Sequence, residues 1–109
     1  MPYDEGLAQR IREILDTGHA YTEKKMFGGV GFMLNGNMAV GVNQDNLIVR
    51  VGVEKDEEAL SQPHARPFDF TGKPMLGWIY VSPDGYASDA DLVAWIQSGV
   101  DFALSLPPK

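Results

Sequence analysis

The fold is decided by a glycine-rich stretch in the first half of the chain, Lys24-Lys25-Met26-Phe27-Gly28-Gly29-Val30-Gly31-Phe32-Met33-Leu34-Asn35-Gly36-Asn37-Met38. Its key pair is Asn35-Gly36, because both residues tolerate the positive φ of a type I′ turn. Apolar residues of strand type flank this pair, from 30 to 34 and from 37 to 42. The stretch therefore predicts a tight antiparallel β-hairpin.

Counting on to Gly41, this region contains five glycines among apolar residues. A glycine inside a strand costs roughly 0.5–1 kcal/mol relative to alanine, so five cost about 2–5 kcal/mol. Period two places Met38, Val40 and Val42 on one face of the second hairpin strand. The opposite face carries only Ala39 and Gly41 and is nearly bare. We expect a helix or another subunit to approach that bare face closely.

The remaining elements follow from the periodicity of the apolar residues and from turn signals. They are a helix over about 4–17 ended by Gly18, strands over 22–27 and 47–51, a short helix over 54–61, strands over 66–70 and 75–81, and a final helix capped by Ser88. This order predicts an α+β fold in one domain, residues 1–109. An antiparallel meander and a second hairpin are flanked by N-terminal and C-terminal helices.

Composition narrows the class of protein. The chain has 109 residues, of which 44% are hydrophobic and 22% charged, as in ordinary globular domains. It has no apolar run of membrane-spanning length and an acidic start unlike a signal peptide, so we expect a cytoplasmic protein without membrane association. It lacks cysteine, which excludes disulfides and thiol catalysis. A net charge of -6 opposes direct nucleic-acid binding, which we do not expect.

No motif for cofactor or metal chemistry is complete. A dinucleotide fingerprint starting at Gly29 would need a glycine where Leu34 stands, and a phosphate loop would need Lys and Ser/Thr where Asn37-Met38 stand. The glycines are therefore predicted to be structural, with direct ligand contact as the alternative. His19 and His64 are too isolated to begin a zinc site. We predict no catalytic residue, no metal and no cofactor.

Asp69 is the carboxylate of most interest, because it lies between two phenylalanines on the opposite face of the predicted strand. We expect it to pair with Arg50, Arg66 or Lys73, with ligand binding as the alternative. Trp78 follows a glycine and alternates with apolar residues, so it fits either core packing or a binding surface. Arg50, Asp69 and Trp78 form our candidate ligand or ion-pair cluster.

Three blocks in order, residues 26–38, 47–51 and 66–78, closely resemble the N-terminal domain of the TfoX/Sxy family of bacterial competence regulators, over roughly residues 5 to 106. One departure is Leu76, where the family often has a basic residue. The resemblance implies an α+β fold like that of secretion chaperones, often dimeric. It also implies a stand-alone member, since full-length regulators carry a second domain. It marks these positions as structural or interface residues: Met26, Phe27, Gly28, Gly29, Gly31, Phe32, Asn35, Gly36, Met38, Arg66, Pro67, Phe68, Gly72, Pro74, Met75, Gly77 and Trp78.

Taken together, these features favour a non-enzymatic regulatory or adaptor domain that acts through protein contacts. We expect a homodimer that engages a further, unnamed protein partner. The resemblance implies a link to transcriptional or competence regulation. The alternative is a small-ligand-binding protein or an enzyme with a cleft near Trp78, Asp69 and Arg50.

Overall fold

The computed structural model describes residues 3–26 and 28–108 of the chain. Phe27, one of the predicted interface residues, lies outside the described residues. The elements in chain order are α1 (Glu5–Leu15), β1 (Thr22–Met26), β2 (Gly29–Leu34), β3 (Asn37–Asn43), β4 (Asn46–Arg50), α2 (Asp56–Leu60), β5 (Ala65–Pro67), β6 (Trp78–Val81) and α3 (Asp89–Ser105). Short 3-10 turns cover Val53–Lys55 and Pro83–Gly85.

The six strands form one antiparallel sheet in the order β1-β2-β3-β4-β6-β5. The first four strands follow chain order, which confirms the predicted meander. β6 pairs with β4, and β5 is left at the edge. Pro67 lies in this edge strand, where the missing N–H of proline costs no ladder hydrogen bond. With helices at both ends of the chain, the predicted α+β fold is confirmed.

The predicted hairpin is also confirmed, because β2 and β3 are joined by Asn35 and Gly36 with φ values of +54° and +83°. The predicted face assignment of β3 is wrong, however. A register shift pairs Phe32 with Val40 but Met33 with Met38, which leaves Ala39 as an extra residue. A bulge of this kind interrupts the alternation of side chains, and it is not visible in a period-two pattern.

As a result, Met38 belongs to a separate buried cluster, whereas Ala39 joins Val40 and Val42 in the main core. Helices α1 and α3 bury their apolar stripes in this core, including Ile11 of α1 and Ile96 of α3. Gly99 of α3 lies directly against the backbone of Ala39. Ala39 and Gly41 therefore do not share a face: a helix of the same chain covers Ala39 on the core side, and Gly41 faces Met38 on the other side.

Both long helices begin at a side-chain cap. Ser88 accepts a hydrogen bond from the backbone N–H of Asp91 at 3.1 Å, which confirms the predicted cap of α3, and Asp4 accepts one from the N–H of Leu7 at 3.1 Å at the start of α1. The C-terminal limit of α1 differs, because the helix ends at Leu15 and a further turn leads to Gly18. None of the described helices is long and apolar enough to cross a membrane.

The last two strands are shorter than predicted. β5 ends at Pro67 and β6 begins at Trp78, so residues 68–77 form a loop instead of strand ends. Phe68 turns inward and becomes fully buried, and Met75 donates a backbone hydrogen bond back to it at 3.0 Å. A turn at Gly72, with φ +92°, reverses the chain between them. The loop packs on the face of the sheet opposite the helices.

Candidate interaction surface

The sheet face opposite the helices has its own small core. Met38, Ile48, Phe68 and Tyr80 are buried there, and four further side chains are partly buried around them: Met26, Met33, Met75 and Trp78. The Phe68 ring packs edge-on to Tyr80 with ring centroids 4.7 Å apart. Several of the predicted family-motif residues are thus brought together on one face. The methionines fill irregular space here, which their flexible side chains suit.

The glycines of the hairpin make room for these methionines. A Cβ on Gly41 would lie 2.6 Å from Cε of Met38 and 2.7 Å from the carbonyl oxygen of Val30. A Cβ on Gly31 would overlap the side chain of Met26. The small-residue positions on this face are therefore filled by side chains of the same chain. They do not form an open surface for a second subunit.

Arg50 ends β4 beside this face, and its guanidinium lies near two aromatic rings. The central guanidinium carbon is 5.0 Å from the ring centroid of Trp78 and 5.1 Å from that of Phe102. Trp78 is the register partner of Arg50 on β6, and Phe102 comes from the C-terminal part of α3. Both rings lie within cation–π distance of the guanidinium. Burial lowers the pKa of Arg50 from its ordinary value.

A pair of glycines fixes the backbone next to Arg50. The carbonyl oxygen of Gly77 accepts hydrogen bonds from Val51 N–H at 2.8 Å and Gly52 N–H at 3.1 Å. The N–H of Gly77 donates to Oδ1 of Asp56 at 2.7 Å. Gly52 and Gly77 have φ values of +88° and +86°. A Cβ on Gly77 would lie 2.8 Å from the carbonyl carbon of Gly52, so the contact requires glycine.

Two large apolar side chains are exposed at this glycine contact. Leu76 directly precedes Gly77 and is 67% exposed, and Val53 directly follows Gly52 and is 65% exposed. A Cβ on Gly52 would lie 2.5 Å from Cε1 of the Phe102 ring, so that ring packs on the same backbone. We call the surface formed by Arg50, Val53, Leu76, Trp78 and Phe102 the Arg50 patch.

The predicted ion pair of Asp69 is wrong. Among the described residues Asp69 forms no ion pair with Arg50, Arg66 or Lys73. Asp69 lies in the exposed loop over residues 68–77, where its backbone carbonyl oxygen accepts a hydrogen bond from the N–H of Gly72 at 2.8 Å. The prediction failed because it treated residues 66–70 as one continuous strand. Arg50 and Trp78 are brought together, and Asp69 is not part of their contact.

A family model, described as the TfoX N-terminal domain, matches residues 13–103 of this chain. The chain belongs to the TfoX N-terminal domain family. No curated protein and no solved structure matches it. The resemblance to this family is thus confirmed, while the likeness to secretion chaperones stays a prediction. The matched range begins inside α1, ends inside α3 and contains the whole Arg50 patch.

The other motif residues of this TfoX N-terminal domain have structural positions. Gly28 has φ +71°, and a Cβ on Gly29 would lie 2.9 Å from the carbonyl carbon of Val42. Arg66 lies over the Tyr80 ring at 5.0 Å. Phe32 is part of the main core, whereas Pro74 lies in the exposed turn of the loop. These contacts agree with the interpretation of the motif residues as structural.

Two hollows on the surface of the domain have linings that contain no residue of the Arg50 patch. One of about 260 Å³ lies between α2 and α3 and is lined by Val51, Lys55, Glu58, Ala59, Gln62, Asp91, Ala94, Trp95 and Ser98. A wider one of about 650 Å³ is lined by Tyr3, Asp4, Gly28, Asn43, Gln44, Asp45 and Phe70. Neither is lined by Arg50, Asp69 or Trp78, where the sequence predicted a cleft. Within the described ranges, no three His, Asp or Glu side chains converge as metal ligands would.

The sequence reasoning missed Phe102 and Val53. Phe102 could have been found, because it follows Trp95 and Gly99 at i+7 and i+3 on the same face of α3. Val53 could not, since its exposure depends on the contact between Gly52 and Gly77. That contact joins segments 25 residues apart in the chain of this TfoX N-terminal domain.

Proposed function

We propose that this domain is a cytoplasmic, non-enzymatic regulatory domain that acts through protein contacts, in a competence-related or transcriptional role. Membership of the TfoX N-terminal domain family supports the regulatory part. The Arg50 patch supports the mode of action and is the observation on which the proposal rests. Trp and Arg are the residues most enriched at energetically important positions of protein interfaces.

The patch has two further properties of an interface. Leu76 and Val53 expose most of their apolar surface on neighbouring segments, and such adjoining exposure marks interaction sites more often than isolated apolar residues do. The backbone beneath them is fixed by the hydrogen bonds of Gly77 to Val51, Gly52 and Asp56. A partner would therefore lose little conformational entropy in ordering this surface.

The regulatory proposal is tested by deleting the gene in its native cell and measuring transcript levels, followed by complementation. Wild-type protein should restore the transcript pattern, whereas Leu76→Asp should not, because a carboxylate would replace an exposed apolar contact. Val93→Asp is the matched control, since Val93 is 43% exposed and lies nine residues before Phe102 on α3, about 14 Å along the helix axis.

Val93→Asp should restore the pattern. Both variants are compared at equal protein level and after thermal melts that establish folding. Full restoration by Leu76→Asp, or a deletion without effect on transcripts, would contradict the proposal.

The expected homodimer would form through a sheet edge. The edge strand β5 has three residues and contains Pro67, whereas β1 has five and is exposed along most of its length. Antiparallel pairing of two β1 strands about Lys24 would place Glu23 opposite Lys25 of the second copy, and Lys25 opposite Glu23. These two attractive cross-strand pairs would outnumber the one repulsive pair, Lys24 opposite Lys24 of the second copy. Edge pairing should give about 24 kDa in sedimentation, twice the 12.0 kDa of one chain. A monomer at micromolar concentration would exclude it.

A second candidate function is small-ligand binding, which the hollow between α2 and α3 supports better than the predicted cleft. The partly buried Trp95 and the apolar Val51 and Ala59 line this hollow, and Lys55 and Glu58 add charges. Thermal-shift screening against metabolites and nucleotides tests it. A ligand at 100 times its Kd should add about 2.7 kcal/mol to the free energy of unfolding. No shift across the set would remove this candidate.

A further inference from the structure

We infer that the Arg50 patch binds a partner segment in which one carboxylate side chain stands between apolar residues. This inference rests on the proposed function, because it names the chemistry of the protein partner expected there. The Arg50 guanidinium takes the carboxylate, and Leu76 and Val53 contact the apolar neighbours.

Arg50 differs from the other arginines in its hydrogen bonding. Within residues 3–26 and 28–108 its guanidinium makes no hydrogen bond and no ion pair. The other three arginines all have acceptors: Arg10 bonds Asp89 at 3.1 Å, Arg12 bonds Glu23 at 2.8 Å and Arg66 bonds Ser82 at 2.7 Å. The N–H groups at the rim of the Arg50 guanidinium are thus available to an incoming acceptor.

The two aromatic rings determine how such an acceptor can approach. The rings of Trp78 and Phe102 lie about 5 Å from the central guanidinium carbon, in cation–π contact that leaves the N–H groups without an acceptor among the described residues. An anion pairs with these N–H groups at the planar edge of the guanidinium, where they form a fork. A carboxylate matches that fork with two parallel hydrogen bonds. Because Arg50 is partly desolvated, which also lowers its pKa, it has lost some stabilisation by water that a carboxylate would replace.

The surroundings favour a peptide over a free anion or a nucleic acid. A small anion would leave Leu76 and Val53 in water, whereas a peptide with apolar residues beside its carboxylate would cover both. The net charge of -6 repels a polyanion at long range and affects a segment with a single carboxylate much less. The charge that complements the partner's carboxylate is therefore local: it is a single arginine beside exposed apolar side chains.

The test is a selection of random twelve-residue peptides displayed on phage, with the wild-type domain as bait. Enriched peptides should share an Asp or Glu flanked by apolar residues. Their affinity is then measured with synthetic fluorescent peptides. Changing the peptide carboxylate to its amide should weaken binding about tenfold or more, and Arg50→Gln should do the same. Combining both changes should cost little beyond either one, because they remove the same interaction.

Two further variants separate the charge of Arg50 from its geometry and from folding. Arg50→Lys keeps the charge but loses the bidentate fork, so it should also bind several-fold more weakly. Arg66→Gln is the matched control, because Arg66 also lies over an aromatic ring, at 5.0 Å from Tyr80, but has protein acceptors. Its affinity for the peptides should stay within about twofold of wild type. Thermal melts of all variants identify any that fail to fold.

Several outcomes would overturn the inference. They are a selection that yields no carboxylate-containing peptide, unchanged affinity of Arg50→Gln, and equal loss in Arg66→Gln. Millimolar acetate or inorganic phosphate that displaces the peptides, or an oligonucleotide that binds through Arg50 when no peptide does, would equally overturn it. If Leu76→Asp fails to complement while no such peptide is found, the inference fails and the proposed regulatory function stands.

Discussion

Replacing Gly99 with alanine sets two effects of opposite sign against each other. Gly99 lies in the interior of α3, where alanine is favoured over glycine by about 1 kcal/mol. It also faces the sheet. A Cβ at this position would lie 2.8 Å from Cγ1 of Val40 and 3.0 Å from the carbonyl carbon of Ala39, and closer still to the carbonyl oxygen of Ala39. Backbone atoms of a central strand cannot rotate away.

The steric effect should win. The contact with Val40 falls 0.6 Å short of the 3.4 Å at which ordinary van der Waals contact begins, so α3 must move outward by at least that distance. A gap of about 0.5–1 Å removes a quarter to a half of the attraction in each dispersion contact. Summed over the contacts that Ile96 and Val100 make with the sheet, the loss amounts to about 2–4 kcal/mol. Subtracting the helix propensity leaves a net destabilisation of about 1–3 kcal/mol, the usual range for overpacking.

Urea unfolding followed by tryptophan fluorescence measures the change in the free energy of unfolding. The expected loss corresponds to a fall in melting temperature of about 4–12 °C for a domain of this size. Gly18→Ala is the matched control: no atom lies within 4 Å of its Cβ position, and its φ is not positive. That change should stabilise by about 0.4–1 kcal/mol through the unfolded chain. If Gly99→Ala were as stable as wild type, the close contact between α3 and β3 would be refuted.

The remaining predictions concern the turn, the glycine contact and alkaline pH. Gly36→Val should lower the melting temperature more than Gly36→Asn, because φ is +83° there and a β-branched residue tolerates it poorly; equal melting temperatures would contradict this. Asp56→Ala should cost about 1–3 kcal/mol in urea unfolding by leaving the N–H of Gly77 without its acceptor, and Asp56→Asn, which keeps an oxygen there, should cost less. Burial, with smaller contributions from nearby carboxylates, raises the pKa of Tyr86 to about 12, above the ordinary value of 10. Its contribution to stability is therefore complete below pH 10 and lost as the pH rises to 12, by at most about 2–3 kcal/mol; Tyr86→Phe should flatten this loss, and an unchanged slope would refute the assignment.

The parts of the fold that the sequence predicted depend on local signals. The Asn35-Gly36 turn requires positive φ at two adjacent residues and few other pairs meet that need, so the hairpin and its approximate limits were correct. The apolar stripe of α3 likewise followed from residues within one helix. Apolar residues at helical spacing, such as Ile11 of α1 and Ile96 of α3, are buried in the main core.

The parts that were wrong depend on contacts between distant segments. The bulge at Ala39 lies against Gly99, sixty residues later, and nothing within β3 signals it. The loop over residues 68–77 takes the place of two predicted strand ends, and within it the Phe68 ring packs on Tyr80 and Trp78 of β6. At the candidate site, the sequence predicted that Arg50 and Trp78 belong to one cluster. It did not predict that Phe102 of α3 supplies the second ring beside Arg50.

The role of the glycines determines where this domain can meet a partner. The glycines of the hairpin allow close contacts within the chain, because Gly31 and Gly41 lie under methionine side chains. The face they lighten is therefore already filled, and glycine content alone does not indicate an interface. Gly52 and Gly77 act differently, because their contact brings two chain segments together and leaves the apolar side chains beside it exposed. Recognition is favoured by exposed side chains on a fixed backbone. The interaction surface that we propose therefore lies at the second glycine pair and not at the glycine-rich hairpin.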